Sequence, residues 1–151
     1  MQIKYCGNIM NKIIKKYYSH LSRKNTNKQI SMIKKSRRMY KKGKYFSRKK
    51  LNYPIKVSPH IIKAQKLYET KIIPSQELST KTGCSLSALK QIVKKGQGAY
   101  YSSGSRPSQT AHSWAHARLA SSISGGKASK VDFHIIKTCD KNKSAYRLAI
   151  K

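Results

Sequence analysis

The chain has 151 residues, with 34 Lys and Arg residues against four Asp and Glu residues, and a formal net charge of +30. That length predicts about one domain, and the chain cannot neutralise such a charge by itself. The excess indicates a polyanionic partner, with nucleic acid favoured over an anionic membrane or an acidic protein surface. Between the two nucleic acids we favour DNA, although positive charge by itself does not distinguish DNA from RNA. Because four carboxylates offer little material for general acid–base pairs or a metal-ion site, we predict a non-enzymatic protein with no cofactor and no metal.

The N-terminal part of the chain is the most basic. No acidic residue precedes Glu69. Residues 8–21 have apolar side chains at the i, i+3, i+4 spacing of an amphipathic helix, suited either to docking on a partner or a membrane surface or to packing on its own domain. Residues 22–50 contain almost no core-forming residues. We therefore interpret 1–57 as a long basic arm and 58–151 as a small, mostly helical domain.

The arm interleaves its cations with Tyr40, Tyr45 and Phe46. Cations contact phosphates, and exposed aromatic rings stack on bases or fill the groove of an acidic partner. A solvated tail or a nuclear-import signal is the alternative. The predicted polyanion-binding residues of the arm are Lys34, Lys35, Arg37, Arg38, Lys41, Lys42, Lys44, Arg48, Lys49 and Lys50.

Residues 75–96 predict a helix, a tight turn and a second helix. Ser75 and Ser85 are placed as N-caps, and Gly83 supplies the positive φ of the turn. The spacing resembles the helix-turn-helix of DNA-binding proteins, although Thr82 stands where an apolar residue is usual. That resemblance implies a second helix whose exposed side faces a major groove, whereas a purely structural helix pair is the alternative. The groove-facing residues would be Ser87, Lys90, Gln91 and Lys94.

A block rich in glycine and serine follows. Gly96 is expected to end the second helix, and residues 97–108 are expected to form an irregular loop in which Gly104 permits positive φ. Backbone amides near Gly104, together with Arg106, are suited to hold a phosphate. We favour the alternative, a rigid structural clip into which two tyrosines pack.

The rest of the domain predicts a further helix and a strand-like tail. Residues 110–123 have the apolar stripe of a helix. His112 and His116 lie one turn apart on it, a metal-compatible spacing that we interpret as paired surface histidines. The apolar residues of the closing "SAYRLAI" alternate, which favours a short strand. The predicted fold is mainly α, with a helix-turn-helix-like pair, a minor β element and the basic arm.

The three cysteines, Cys6, Cys84 and Cys139, are widely separated and odd in number. Because no CxxC pair occurs, neither a zinc knuckle nor a disulfide framework is indicated, and we expect reduced thiols in a cytosolic or nuclear setting. No apolar run approaches the ~20 residues of a membrane-spanning helix, so no transmembrane segment is predicted.

Several unusual motifs occur over roughly two thirds of the chain: "KYFSRKKL", "GQGAYYSSGSRPSQT", "GGKASKVDFHI" and the closing "YRLA", with Trp114 and Arg118. From about Tyr45 onward, these motifs resemble a family of uncharacterised proteins encoded by large DNA viruses of algae and amoebae. The resemblance brings no assigned activity and no functional residues. It implies a context, a large DNA virus that assembles in the cytoplasm.

These observations predict a basic structural protein of a virus particle, a minor capsid or interior component found in the virion and, during assembly, in the host cytoplasm or nucleus. Its arm would bind nucleic acid or the acidic surfaces of other virion or capsid proteins. One alternative is a helix-turn-helix DNA-binding protein for transcription or genome compaction. A less favoured alternative is a nucleic-acid-processing enzyme that uses Tyr101, Ser103, Arg106 and His112.

Overall fold

The computed structural model describes residues 12–54 and 56–151. Two compact units make up the chain. The first combines the N-terminal segment up to Pro54 with Tyr101–Gln109, and the second combines Ile55–Tyr100 with Thr110–Lys151. The first unit therefore contains a segment from far along the chain, which the predicted division after residue 57 does not include.

The described residues form eight α-helices, one 3-10 helix at Lys15–Tyr17 and no strand, so the predicted mainly helical fold is confirmed. None of these helices is long and apolar enough to cross a membrane. The α-helices are α1 (Arg23–Lys41), α2 (Pro59–Tyr68), α3 (Gln76–Thr82), α4 (Leu86–Ser102), α5 (Ala111–Ile123), α6 (Lys127–Val131), α7 (Phe133–Ile136) and α8 (Ser144–Ala149).

Helix α1 occupies much of the segment that was expected to lack packed structure. The Ser22 side chain caps its first turn by accepting a hydrogen bond from the Asn25 amide at 3.2 Å. Its buried side consists of Gln29, Ile33 and Ser36, which are spaced by four and three residues as a helix requires. Two of these three are polar, so the segment shows no apolar stripe although it forms a helix.

The prediction of an amphipathic helix at 8–21 is wrong for residues 12–21. Residues 8–11 lie outside the described part of the chain, and residues 12–21 form only the short 3-10 helix and a turn in which His20 has φ 65°. Ile13 and Tyr17 are buried, whereas Ile14 is 51% exposed. The apolar residues therefore do not share one side of a regular helix.

Helix α5 is central to the second unit and packs against α2, α6 and α8. The large side chains that are fully buried in this core are Leu78, Leu89, Ile92, Leu119, Ile123 and Ile136. The Tyr68 hydroxyl donates a hydrogen bond to the Ile123 carbonyl, which joins the end of α2 to the end of α5. Burial raises the pKa of this hydroxyl, so Tyr68 stays neutral.

The predicted helix pair at 75–96 has its predicted caps and turn. The Ser75 and Ser85 hydroxyls each accept a hydrogen bond from a backbone amide three residues later, at 3.1 Å. Gly83 has φ 79°. Thr82, the exception to the apolar pattern, is buried because its hydroxyl donates to the Leu78 carbonyl at 2.8 Å and accepts from the Cys84 amide at 3.1 Å.

The second helix of this pair, α4, does not end at Gly96 but continues to Ser102. Gly96 serves close helix packing instead, since a Cβ atom there would lie 2.7 Å from the Ala115 Cα in α5. The irregular loop accordingly begins after Ser102.

Two further predictions are corrected. Cys84 and Cys139 form a disulfide bond across a sequence separation of 55, a link that stabilises a chain by roughly 2–4 kcal/mol. Spacing alone could not reveal this pair, and Cys6 lies outside the described residues. The closing segment is helix α8 and not a strand, because it buries Ala145 and Ala149, one helical turn apart, while Ile150 is 57% exposed.

We predict that Gly83→Val lowers the free energy of unfolding of the second unit by about 2 kcal/mol or more. A β-branched residue is strained at positive φ, and the added Cβ would lie 2.6 Å from the Lys143 Cβ and 2.9 Å from the Asp140 Cβ. Chemical denaturation measures the change. Gly43→Val, measured by the stability of the first unit to which Gly43 belongs, is the control for backbone strain alone, since Gly43 has φ 74° but no atom within 4 Å of the added Cβ. Equal, small losses in both variants would show that Gly83 has no special packing role.

Candidate polyanion-binding surface

The first unit has no internal means of neutralising its charge. Its described residues include seventeen Lys and Arg residues and no Asp or Glu residue. Any cation of this unit that forms a hydrogen bond within it must therefore use neutral acceptors, such as hydroxyls and backbone carbonyls. These acceptors orient a cation but leave its charge in place.

Helix α1 presents a continuous cationic side to solvent. This surface, which we call the α1 cationic face, lies opposite the buried Gln29, Ile33 and Ser36 and extends over roughly 26 Å of helix. It includes the exposed residues Lys24, Lys28, Lys34, Lys35, Arg38 and Lys41. Lys24 and Lys28 were not among the predicted binding residues. The sequence signal that could have identified them is Ser22 as an N-cap, since a helix that begins after Ser22 places Lys24 and Lys28, four residues apart, on one side.

The segment after α1 continues the positive surface. The predicted residues Lys42, Lys44, Lys49 and Lys50 are all exposed. Between them, Phe46 lies under the Lys35 side chain, with the ammonium 4.5 Å from the ring centroid. This cation–π contact orients Lys35 and leaves its charge on the surface.

Two predicted phosphate-binding arginines instead hold the first unit together. Arg48 is buried, and its guanidinium donates to the Ser36 hydroxyl at 3.1 Å and to the Ser105 hydroxyl at 2.9 Å. Arg37 donates to the Ser103 carbonyl at 2.8 Å. Burial removes Arg48 from the accessible surface, which sequence composition could not indicate.

The segment Tyr101–Gln109, which consists of the last residues of α4 and the loop after it and which we call the clip, packs against α1 and the segment after α1. Ser36 donates to the Tyr101 carbonyl at 2.9 Å, and the Gln29 amide donates to the Ser105 carbonyl at 3.3 Å. The Ser108 hydroxyl donates to the Leu51 carbonyl at 3.0 Å and accepts from the Leu51 amide at 3.1 Å. These contacts attach the segment to α1 and to the residues after it, which is what a structural clip requires.

Gly104 is a point of close contact between the clip and buried residues of the first unit. It is buried with φ 136°, and an added Cβ would lie 3.1 Å from the Tyr17 ring and 3.3 Å from the Ile33 Cγ2. Burial raises the pKa of the Tyr17 hydroxyl, against the opposing effect of nearby arginines. Arg106, the predicted polyanion-binding residue of the loop, is exposed.

The second unit carries the other predicted binding residues. Lys90, Gln91 and Lys94 are exposed on one side of α4, where with Leu86 and Ser87 they line a shallow depression of about 420 Å³. The structure thus brings these three residues together, on a different unit from the α1 cationic face.

The buried carboxylate of the second unit is structural. Asp132 accepts hydrogen bonds from Arg118 at 2.7 and 3.0 Å and from the Ser122 hydroxyl at 2.8 Å. Burial by itself raises the pKa of Asp132, but the hydrogen bonds from Arg118 and Ser122 and the Arg118 charge outweigh it and hold the pKa below its usual value. Asp132 is therefore an ionised, fixed partner of Arg118.

The other three carboxylates also have simple structural surroundings. Asp140 accepts from the Asn142 amide at 2.9 Å in a turn. Glu77 lies 3.4 Å from the Lys81 ammonium in an exposed i, i+4 pair. Glu69 is exposed and follows α2 with φ 51°. None of these carboxylates lies in an enclosed site where a base would be activated by burial.

His112 and His116 are neighbours on α5, with ring centroids 6.2 Å apart. Burial, and secondarily the charge of His112, lowers the pKa of His116. Among the residues that the structure describes, no group of three or more His, Cys, Asp and Glu side chains is placed to hold a metal ion.

Residues 14–144 match a protein family described as "Family of unknown function (DUF5824)". The chain belongs to this family. The matched residues of this DUF5824 protein include α1, the clip and the helix pair. The α1 cationic face and the exposed side of α4 therefore both lie inside the family region. Comparisons with curated proteins and with solved structures return no match. The DUF5824 description assigns no activity, so the function has to be inferred from the surfaces themselves.

We predict that Gly104→Ala destabilises the first unit by about 1–3 kcal/mol, because the added Cβ is strained at positive φ and presses on Tyr17 and Ile33. Ser103→Ala is the matched control, since Ser103 is exposed and only its carbonyl accepts from Arg37. Hydrogen exchange of the α1 amides reports the stability of this unit. A loss of protection in Ser103→Ala equal to that in Gly104→Ala would contradict the clip.

Proposed function

We propose that this DUF5824 protein is a non-enzymatic polyanion-binding protein whose α1 cationic face contacts nucleic-acid phosphates, with DNA favoured. The supporting observation is that six exposed Lys and Arg side chains lie on one side of α1, in a unit without carboxylate side chains. Contact with each phosphate releases condensed counterions, which is the main source of sequence-independent affinity.

The folded state of α1 strengthens this proposal over a disordered basic tail. A disordered segment loses conformational entropy when it binds, whereas α1 is already held in place by its buried side and the clip. The roughly 26 Å length of the face is comparable to about fifteen phosphate intervals of a duplex, counted at 1.7 Å over both strands. Several cations can therefore contact phosphates at once.

The cellular context that we propose is the interior of a virus particle. Its support is the resemblance, from Tyr45 onward, to proteins of large DNA viruses, together with the positive charge expected of a protein that faces a packaged genome. Acidic surfaces of other virion or capsid proteins are the alternative polyanion. Four carboxylates with structural surroundings support a non-enzymatic role. Detection of the protein in purified virions would test this context.

We predict that replacing Lys24, Lys28, Lys34, Arg38 and Lys41 by Gln lowers the steepness of the salt dependence. If all five contact duplex phosphates, the slope of log K against log salt becomes less negative by about 4–5. Gln preserves helix propensity, and Lys35 is left unchanged because it contacts Phe46. Binding to a labelled duplex is measured at several salt concentrations.

The matched control removes five exposed charges from the second unit: Lys63, Lys66, Lys71, Lys127 and Lys137. Both variants have the same net charge, so a purely non-local attraction would change their slopes equally. We expect a change of less than about one in the control. Equal changes in the two variants would refute a binding site on α1.

A second candidate function is sequence-specific DNA binding by α4, in the manner of a helix-turn-helix. The observation that favours it is the shared exposure of Lys90, Gln91 and Lys94 beside a shallow depression, on a helix preceded by the Gly83 turn. A glutamine can form two hydrogen bonds with adenine, and lysine with guanine or phosphate.

For this candidate, Gln91→Ala should relax preference at one base step by about 1–3 kcal/mol, while Lys90→Gln and Lys94→Gln should weaken all sequences alike. Selection from a random duplex library measures the preference. If the unmodified protein selects no sequence, α4 and α3 form a structural helix pair, which is the result that we expect.

A further inference from the structure

Tyr45 is an aromatic side chain held in an unusually exposed position. It is 71% exposed, and Tyr40, at 37%, is exposed beside it. Single apolar groups on a surface are common and require no explanation. Tyr45 is not isolated, however, because its ring centroid lies 6.3 Å from that of Tyr40 and 5.0 Å from that of Tyr101, with the planes tilted by 51° and 47°. The three rings form a cluster that we call the tyrosine cluster.

The end of α1 places Tyr45 in this cluster. The Lys42 and Lys44 amides both donate to the Met39 carbonyl, at 3.0 and 2.9 Å, and Gly43 adopts φ 74°. The helix therefore ends in a tight turn at Gly43. An added Cβ at Gly43 would have no atom within 4 Å, so the turn lies at an open surface.

The clip holds the other side of the cluster. The Tyr101 carbonyl accepts a hydrogen bond from the Ser36 hydroxyl in α1 at 2.9 Å. The Tyr45 ring thus has ordered neighbours from two separate segments. A ring held in this way loses little side-chain entropy on binding a flat ligand, which increases the net stacking energy.

The surroundings of the cluster are cationic. Lys41, the last residue of α1, and Lys42 and Lys44, which follow it, are exposed, and the unit contains no carboxylate side chain to compete for them. An exposed aromatic ring beside cations is the combination used to bind single strands, where bases stack on rings and the backbone follows positive charge. A duplex does not offer the same contact, because its base faces are already stacked on each other.

We infer that the tyrosine cluster is a base-stacking site for single-stranded nucleic acid, with Tyr45 as the ring that receives a base and Lys41, Lys42 and Lys44 as phosphate contacts. This inference rests on the proposed function and specifies it further. The α1 cationic face contributes charge to duplex and single strand alike, whereas the tyrosine cluster distinguishes a strand with accessible bases.

The test compares a short single strand with an abasic strand of equal length and charge. Stacking on an aromatic side chain contributes about 1–3 kcal/mol per base, so the protein should bind the base-bearing strand about 5- to 150-fold more tightly than the abasic one. Tyr45→Leu should remove this preference, and Tyr45→Phe, which keeps the ring, should retain it. Fluorescence anisotropy measures the affinities, and thermal melts of the variants check their folds.

Two controls separate stacking from charge. Lys44→Gln should weaken binding of both strands by the same factor and leave the preference unchanged. Tyr45→Leu should leave duplex affinity unchanged. As a measurement that needs no variant, a strand carrying 5-bromouracil should crosslink to Tyr45 of the unmodified protein, with the crosslinked peptide mapped by mass spectrometry.

The inference is overturned if the base-bearing and abasic strands bind equally, if Tyr45→Leu retains the preference, or if the crosslink maps elsewhere. It is also overturned if a polyglutamate peptide binds more tightly than the strand and loses affinity in Tyr45→Leu, which would assign the cluster to an acidic protein. Steep salt-dependent binding of duplex and abasic strand without a base preference would leave the proposed function in place. Failure to bind any of these polyanions would instead refute the proposed function itself.

Discussion

The hydrogen bonds of the Arg48 guanidinium join the three segments of the first unit. Arg48 lies in the segment after α1, and its two partners, Ser36 and Ser105, lie in α1 and the clip. A buried charge is costly unless it is well hydrogen-bonded. Each serine hydroxyl accepts from Arg48 and donates to a backbone carbonyl, that of Tyr101 or that of Arg106. This arrangement positions the clip, keeps the α1 cationic face towards solvent and holds the tyrosine cluster together.

The use of hydroxyls and carbonyls as partners explains how the first unit can be both folded and strongly positive. A carboxylate partner would fix an arginine but also cancel its field, whereas a neutral acceptor fixes it and leaves the charge. In the second unit the buried carboxylate Asp132 forms an ion pair with Arg118 and so cancels its charge. The same ion pair joins α5 to the end of α6. The two units thus hold a buried or half-buried arginine in different ways, the first with neutral hydrogen-bond acceptors and the second with a carboxylate. The polyanion-binding role that we propose requires neutral acceptors, because they leave the positive charge of the first unit in place.

Local features were predictable from the sequence, and long-range ones were not. The caps at Ser75 and Ser85 and the positive φ of Gly83 depend on neighbouring residues, so the helix pair could be derived from them. Helix α1 was missed because its buried side contains Gln29 and Ser36, whose partners lie 76 and 65 residues further along the chain. For the same reason Arg48 was counted as a surface cation. The disulfide between Cys84 and Cys139 and the burial of Ala145 and Ala149 in α8 likewise depend on packing that a pattern of residue types does not contain.

The hydrogen bonds that close the first unit span 57 to 76 residues of sequence, apart from the shorter link between Arg48 and Ser36. Helical proteins usually fold quickly because most of their contacts are local, and contacts between distant residues slow folding. During synthesis, α1 leaves the ribosome long before the clip exists. We expect the first unit to fold only after residues 101–109 have emerged from the ribosome. Until then, its cations lack their native packing while they are close to ribosomal RNA. The order of the segments along the chain thus delays the folding of the most basic part of this protein until a segment that is synthesised much later has emerged.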